Sequence, residues 1–86
     1  MPTIARFYGI EIRMYYKDHA PPHFHAIYGE YEAQVQISAV ALLDGELPRR
    51  ASALALDWAR QHEAELLENW QRARAQLPLL PIAPLE

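Results

Sequence analysis

The alternation of apolar and polar side chains is clearest between Ile10 and Tyr16. Ile10, Ile12, Met14 and Tyr16 fall on one side, and Glu11, Arg13 and Tyr15 on the other. A period of two over this length predicts a half-buried strand, separated by Gly9 from a shorter strand over Ile4 to Tyr8. His23–Ile27 and Tyr31–Ile37 read as a hairpin around Gly29. With Gly29-Glu30 at the turn, Tyr28 faces Tyr31, Ala26 faces Ala33 and Phe24 faces Val35. With Tyr28-Gly29 at the turn the pairs shift but the parity holds. In both cases Phe24, Ala26, Val35 and Ile37 share the apolar face, while His23 and His25 share the other with Glu32, Gln34 and Gln36. A three-residue loop would reverse this and turn both histidines into the core. Asp44-Gly45 predicts another tight turn, between Val40–Leu43 and a short return at Glu46-Leu47.

From Arg49 to about Gln76 the period changes to that of a helix. Ala51, Ala55, Trp58, Ala59, His62, Leu66, Trp70, Ala73 and Leu77 form one stripe, opposite Asp57, Arg60, Ala64, Glu68, Gln71 and Ala75. Pro48 suits the first turn. One helix of that span would be roughly 40 Å long and would overhang strands of about 20 Å. The proline-rich tail 77–86 cannot be helical. It is expected to fold back on the helix or to dock on a second subunit. The expected architecture is therefore α+β: an antiparallel sheet of four to five short strands over about 4–47, one long C-terminal helix over about 49–76 packed on one face, and the tail, all in a single domain over 1–86.

Composition narrows the chemistry. At 86 residues, two independent cores would each be too small to hold without staples. The chain has no cysteine, which excludes disulfides and thiolate metal sites. Apolar residues make up 51%, too many for a disordered chain. The N-terminal stretch Met1-Pro2-Thr3-Ile4-Ala5-Arg6 lacks an apolar run of leader length, and no run approaches the ~20 residues of a membrane span. A net charge of -3 gives no general attraction for nucleic acid. An RNA ligand is left to local cations.

Three of the four histidines, His19, His23 and His25, fall in the segment Asp18-His19-Ala20-Pro21-Pro22-His23-Phe24-His25. His23 and His25, two apart on a strand, leave the same face. His19 can swing back across the proline-stiffened loop. One reading is a divalent metal held by His19, His23 and His25, with Asp18 orienting a ring. A second is acid–base catalysis by neighbouring imidazoles, with Arg13 and Arg50 engaging phosphate, and Tyr15 and Glu32 lining the same face. An enzyme of either kind would be a phosphodiesterase. The plainer alternative leaves the histidines on a solvated sheet face. His62, centred in the helical stripe, reads as a buried histidine bonded to a carbonyl or a tyrosine. Reversed hairpin parity would instead bring it to His23 and His25. Arg49-Arg50 at the helix start offers either an anion site or a solvated pair bridged to Asp44 or Glu46. Trp58 reads as core, and Trp70, on the overhang, as an interface anchor through which a homodimer could form.

The runs Phe7-Tyr8-Gly9-Ile10, Met14-Tyr15-Tyr16 and Asp18-His19-x-Pro21-Pro22-His23-Phe24-His25-Ala26 resemble the opening of a family of small bacterial domains of unknown function. Gly45-x-Leu47-Pro48-x-Arg50 and Trp58-Ala59-x-x-His62-x-x-Glu65-Leu66-x-x-Asn69-Trp70 are similar to its second half. Some members are labelled DhiT-type toxins of type II toxin–antitoxin pairs. The resemblance implies a cytoplasmic bacterial protein, toxin-like or regulatory, with a small antitoxin-like cognate partner. It implies no settled reaction. A non-catalytic protein-binding module, with the histidine face as contact surface, is the competing expectation.

Overall fold

A computed structural model describes residues 2–86. Met1, the first residue of the stretch read above for a leader, lies outside them. Five strands form one antiparallel meander in the order β1-β2-β3-β4-β5: β1 Thr3–Phe7, β2 Ile10–Arg13, β3 His23–Tyr28, β4 Tyr31–Gln36 and β5 Ala41–Gly45. Each strand neighbours the next in sequence, as short connections favour. Two helices follow, α1 Arg49–Gln61 and α2 Glu63–Arg74. The architecture is α+β. No helix is long and apolar enough to cross a membrane among the described residues.

The β3–β4 hairpin takes the register with Gly29-Glu30 at the turn: Tyr28 pairs with Tyr31, Ala26 with Ala33, Phe24 with Val35 and His25 with Gln34. Gly29 supplies the positive φ, +58°, that a tight hairpin needs at its first turn position. The parity follows from the pattern: Phe24, Ala26, Val35 and Ile37 are fully buried on one face. Rows of paired residues cross the other face, among them Arg13–His25–Gln34–Asp44.

Asp44-Gly45 makes no hairpin. Both residues stay in β5, where Asp44 pairs with Gln34 and Gly45 with Ala33 across an irregularity between Gln34 and Val35. Gly45 is required by close approach: a Cβ there would lie 2.2 Å from the Glu32 carbonyl oxygen, and its φ is +75°.

The helix is also not continuous. It breaks at His62, whose φ of -123° leaves the helical region. Neither proline nor glycine causes the break. The charges mark it instead: Arg60 lies in the last turn of α1, and Glu63 and Glu65 in the first turn of α2. Cations suit a helix C-terminus and anions an N-terminus, so this order stabilises an end followed by a start. The His62 ring closes the joint through Nδ1 to Glu65 Oε1, 2.6 Å away. The break replaces the expected overhang, and the longest dimension of the molecule is 34 Å.

Ala51, Ala55 and Ala59 let α1 lie close to the sheet, and Trp58 fills the space between them, fully buried. Its ring lies 5.3 Å from Phe7 and 5.8 Å, edge-on, from Phe24. At the end of α2, Gln76 takes a positive φ of +59°. Its N–H bonds the Ala73 carbonyl, while that of Leu77 bonds Arg72. This paired closure ends the helix, and Pro78 keeps it ended. The tail then folds back on the chain. The Trp58 indole N–H donates to the Ala83 carbonyl at 2.8 Å. Buried Asn69 exchanges two bonds with the Leu80 backbone. Ile82 N–H donates to the Ile4 carbonyl, covering the free edge of β1.

Candidate functional site

The polar face of the sheet carries a cluster at the start of β3. His23 and His25 leave that face together, with ring centroids 5.3 Å apart, and both residues are only 6% exposed. They are not solvated, and they are not sealed among aliphatic groups. Tyr15, two residues past the end of β2, sets its ring edge-on to His25 at 4.6 Å. Trp70 of α2 covers His23 at 5.4 Å. Each imidazole nitrogen has a polar neighbour. His23 Nδ1 donates to the Pro21 carbonyl at 2.8 Å. His25 Nδ1 lies 3.0 Å from Glu32 Oε2 on the neighbouring strand. The two Nε2 atoms converge on one oxygen, Asp18 Oδ2, at 3.4 Å for His23 and 2.9 Å for His25. No buried side-chain nitrogen or oxygen among the described residues lacks a partner, as buried polar groups require.

Asp18 is brought there by a loop pinned along its length. The Tyr16 hydroxyl donates to the Leu77 carbonyl, Arg74 to the Asp18 carbonyl at 3.4 Å, and Ile37 N–H to the Pro22 carbonyl. The Ala20–Pro21 peptide bond is cis. A cleft of about 270 Å³ opens beside the cluster, lined among others by Asp18, His19, Pro21, His23, Gln34 and Leu43. The exposed His19 side chain lines this cleft. Among the described residues, the group with ligand atoms within 4.8 Å of one another is Asp18, His23 and His25, so Asp18 stands where the sequence suggested His19.

The other candidates lie elsewhere or are engaged. Arg13 pairs with His25 across the strands, yet its guanidinium bonds Glu11 at 2.8 Å. Arg13 and Thr3 hydrogen bonds hold the Glu11 carboxyl down to about 2, and Glu11 and Tyr15 raise Arg13 in turn. Arg50 lines a separate cleft of about 230 Å³ with Tyr8, Tyr28 and Leu54. His62 packs on Trp58 at 5.3 Å and pairs with Glu65. Among the described residues its ring bonds neither a carbonyl nor a tyrosine, and it does not join the other histidines. Trp70 is 7% exposed, a cover over the cluster rather than an exposed anchor.

One residue escaped the sequence reading. Arg74 sits in the last turn of α2, reaches the Asp18 loop and lies 5.8 Å from the Trp70 ring centroid. It reads as an ordinary helix-terminal cation. Only the folded chain sets it beside Asp18.

A five-stranded meander with two helices and a histidine–carboxylate cluster at the mouth of its third strand defines a small α+β domain built around one polar focus. The chain belongs to the family described as domain of unknown function DUF4160, whose model matches residues 9–71. That span holds Asp18, His23, His25, Glu32 and Trp70, and stops short of Arg74. Comparison with curated proteins and with solved structures finds no match.

Proposed function

We propose that this chain is the active, toxin-like member of a two-protein module and that it cleaves a phosphodiester at the Asp18–His23–His25 cluster. The observation that carries the reading is the convergence of two imidazole Nε2 atoms on one carboxylate oxygen beside an open cleft. Focused donors of this kind mark sites of chemistry more than sites of packing. Arg74 supports an anionic substrate, because its guanidinium stands at the Asp18 loop and pairs with no carboxylate among the described residues. Arg13 gives no such support, being neutralised by Glu11. A small cognate protein acting in the cytoplasm would restrain the activity, as the family likeness to antitoxin-paired proteins implies.

Expression of the chain alone in a bacterial host tests this. Wild type should arrest growth and degrade RNA, while Asp18→Asn and a His23→Ala/His25→Ala double variant, each with a wild-type circular dichroism spectrum, should do neither. Equal arrest by the folded double variant removes the cluster from the activity. Normal growth of cells accumulating folded wild type, with intact RNA, removes the activity itself.

A second reading is favoured by the exposed edge strand β5, where Leu42 and Leu43 are each 42% exposed. As a binding module the chain would add a partner's strand along β5. A β5 variant that loses the partner but keeps the arrest would assign that edge to restraint rather than to activity.

A further inference from the structure

His23 Nδ1 faces the Pro21 carbonyl, which only accepts, so that nitrogen carries the proton. The neutral ring then presents a lone pair at Nε2, aimed at Asp18 Oδ2, itself a lone-pair donor. His25 repeats the pattern: Nδ1 faces the Glu32 carboxylate and Nε2 faces the same Asp18 oxygen. In both rings the outer nitrogen is tied to a fixed acceptor and the inner one looks toward a shared point. That is how metal-binding histidines are held, with the second nitrogen donating to a carbonyl or carboxylate that fixes tautomer and orientation.

The two nitrogen–oxygen spacings fit the same occupant. Ligand bonds of about 2.0–2.2 Å to one ion, at angles near 90–110°, put neighbouring ligand atoms roughly 2.9–3.5 Å apart. The two nitrogens stand 2.9 and 3.4 Å from Asp18 Oδ2. With both rings neutral, three lone pairs gather at one point, where a cation satisfies all of them. A divalent ion carries the charge of two protons and serves all three atoms from one position.

We infer that Asp18 Oδ2, His23 Nε2 and His25 Nε2 are the protein ligands of a divalent first-row transition metal, with Glu32 and the Pro21 carbonyl as positioning groups. The inference deepens the proposed function and rests on that reading's choice of working centre. Two imidazoles with one carboxylate select zinc, iron(II), nickel or copper over calcium and magnesium, which prefer all-oxygen sites. Three protein ligands leave coordination positions open, and the cleft lined by Asp18 and His23 lies beside them. Bound there, the ion would polarise a phosphoryl oxygen or activate a water. Arg74 meanwhile holds the anion, and Trp70 and Tyr15 exclude bulk water from the rings.

The test is isothermal titration of tag-free, chelator-stripped full-length protein with zinc chloride. Expected is one zinc per chain for wild type, for His19→Ala and for His62→Ala. Asp18→Ala and His25→Ala should bind none, and Glu32→Gln should bind roughly 10–100-fold more weakly, the range for loss of an orienting partner. A thermal melt should rise with zinc only in variants that bind it. No zinc uptake by folded wild type overturns the site, as does loss of binding in His19→Ala or His62→Ala. The two proposals fail separately. Stoichiometric zinc without growth arrest sinks the phosphodiesterase and spares the metal site. Growth arrest and RNA cleavage by protein that takes up no zinc does the reverse.

Discussion

The molecule contains two histidine–tryptophan pairs of almost identical spacing, His62 on Trp58 at 5.3 Å and His23 on Trp70 at 5.4 Å. In the first, the partner of the ring nitrogen is Glu65, three residues away. The contact is local, and its consequence is local: it closes the joint between two helices. In the second, both ring nitrogens look to the loop before β3, Nδ1 to the Pro21 carbonyl and Nε2 to Asp18 Oδ2, and the adjacent His25 adds Glu32 of β4. That loop is itself pinned by Leu77 and Arg74, and this is what lets two Nε2 atoms meet at one oxygen. Packing on an indole is common to both pairs, so it distinguishes nothing. Whether the ring nitrogens look to the adjoining helical turn or to a pinned loop does.

The largest effect expected from breaking this contrast is functional. His25→Ala should abolish growth arrest on expression, while His62→Ala should leave it intact. Comparable loss in both variants would erase the distinction between hinge and centre. Next comes stability. Trp58→Ala removes the largest fully buried side chain, and truncations of that kind cost about 3–5 kcal/mol. A denaturant titration should show it, with the midpoint falling and the slope unchanged. By contrast, His62→Ala should cost no more than about 1 kcal/mol, because the Glu65 partner is half-exposed and pairs of that kind are worth little.

The smallest effect concerns a carboxylate that resembles Asp18 in position but not in task. Glu11 also collects several partners on the polar face, Thr3, Arg13 and Arg6, and its partners are hydrogen-bond donors and cations that stabilise its charge. Its pKa is lowered from 4.5 to about 2. A depressed carboxylate contributes stability above its unfolded value and loses it as pH falls through the folded one. Wild type should therefore exceed Glu11→Gln in stability above pH 4.5, and the difference should close between pH 4.5 and about 2. A difference independent of pH would mean that Glu11 acts through packing.

Much of this was readable in the sequence. The alternation through β2, β3 and β4, with Gly29 at the turn, specifies the parity that puts His23 and His25 on the same side. Periodicity encodes that directly, because a slip would expose Phe24, Ala26 and Val35. The break at His62 was not read, because breaks are sought at proline and glycine, whereas here Arg60, Glu63 and Glu65 carry the signal. Asp18 in place of His19 could not be read at all. The loop has no period, and its path is set by Tyr16, Pro22 and Arg74 reaching partners up to 61 residues away. The same holds for the burial of the histidines, since Trp70 covers His23 only after α2 turns at the joint.

The most direct measurement is a long-range proton–nitrogen correlation spectrum of the four imidazole rings, recorded before and after addition of zinc. His23 and His25 should both carry the proton on Nδ1 in the zinc-bound protein, with their Nε2 resonances displaced together, while His19 and His62 stay where they were. Displacement of His19 or His62 in their place, or four rings indifferent to zinc, would contradict the convergence on Asp18.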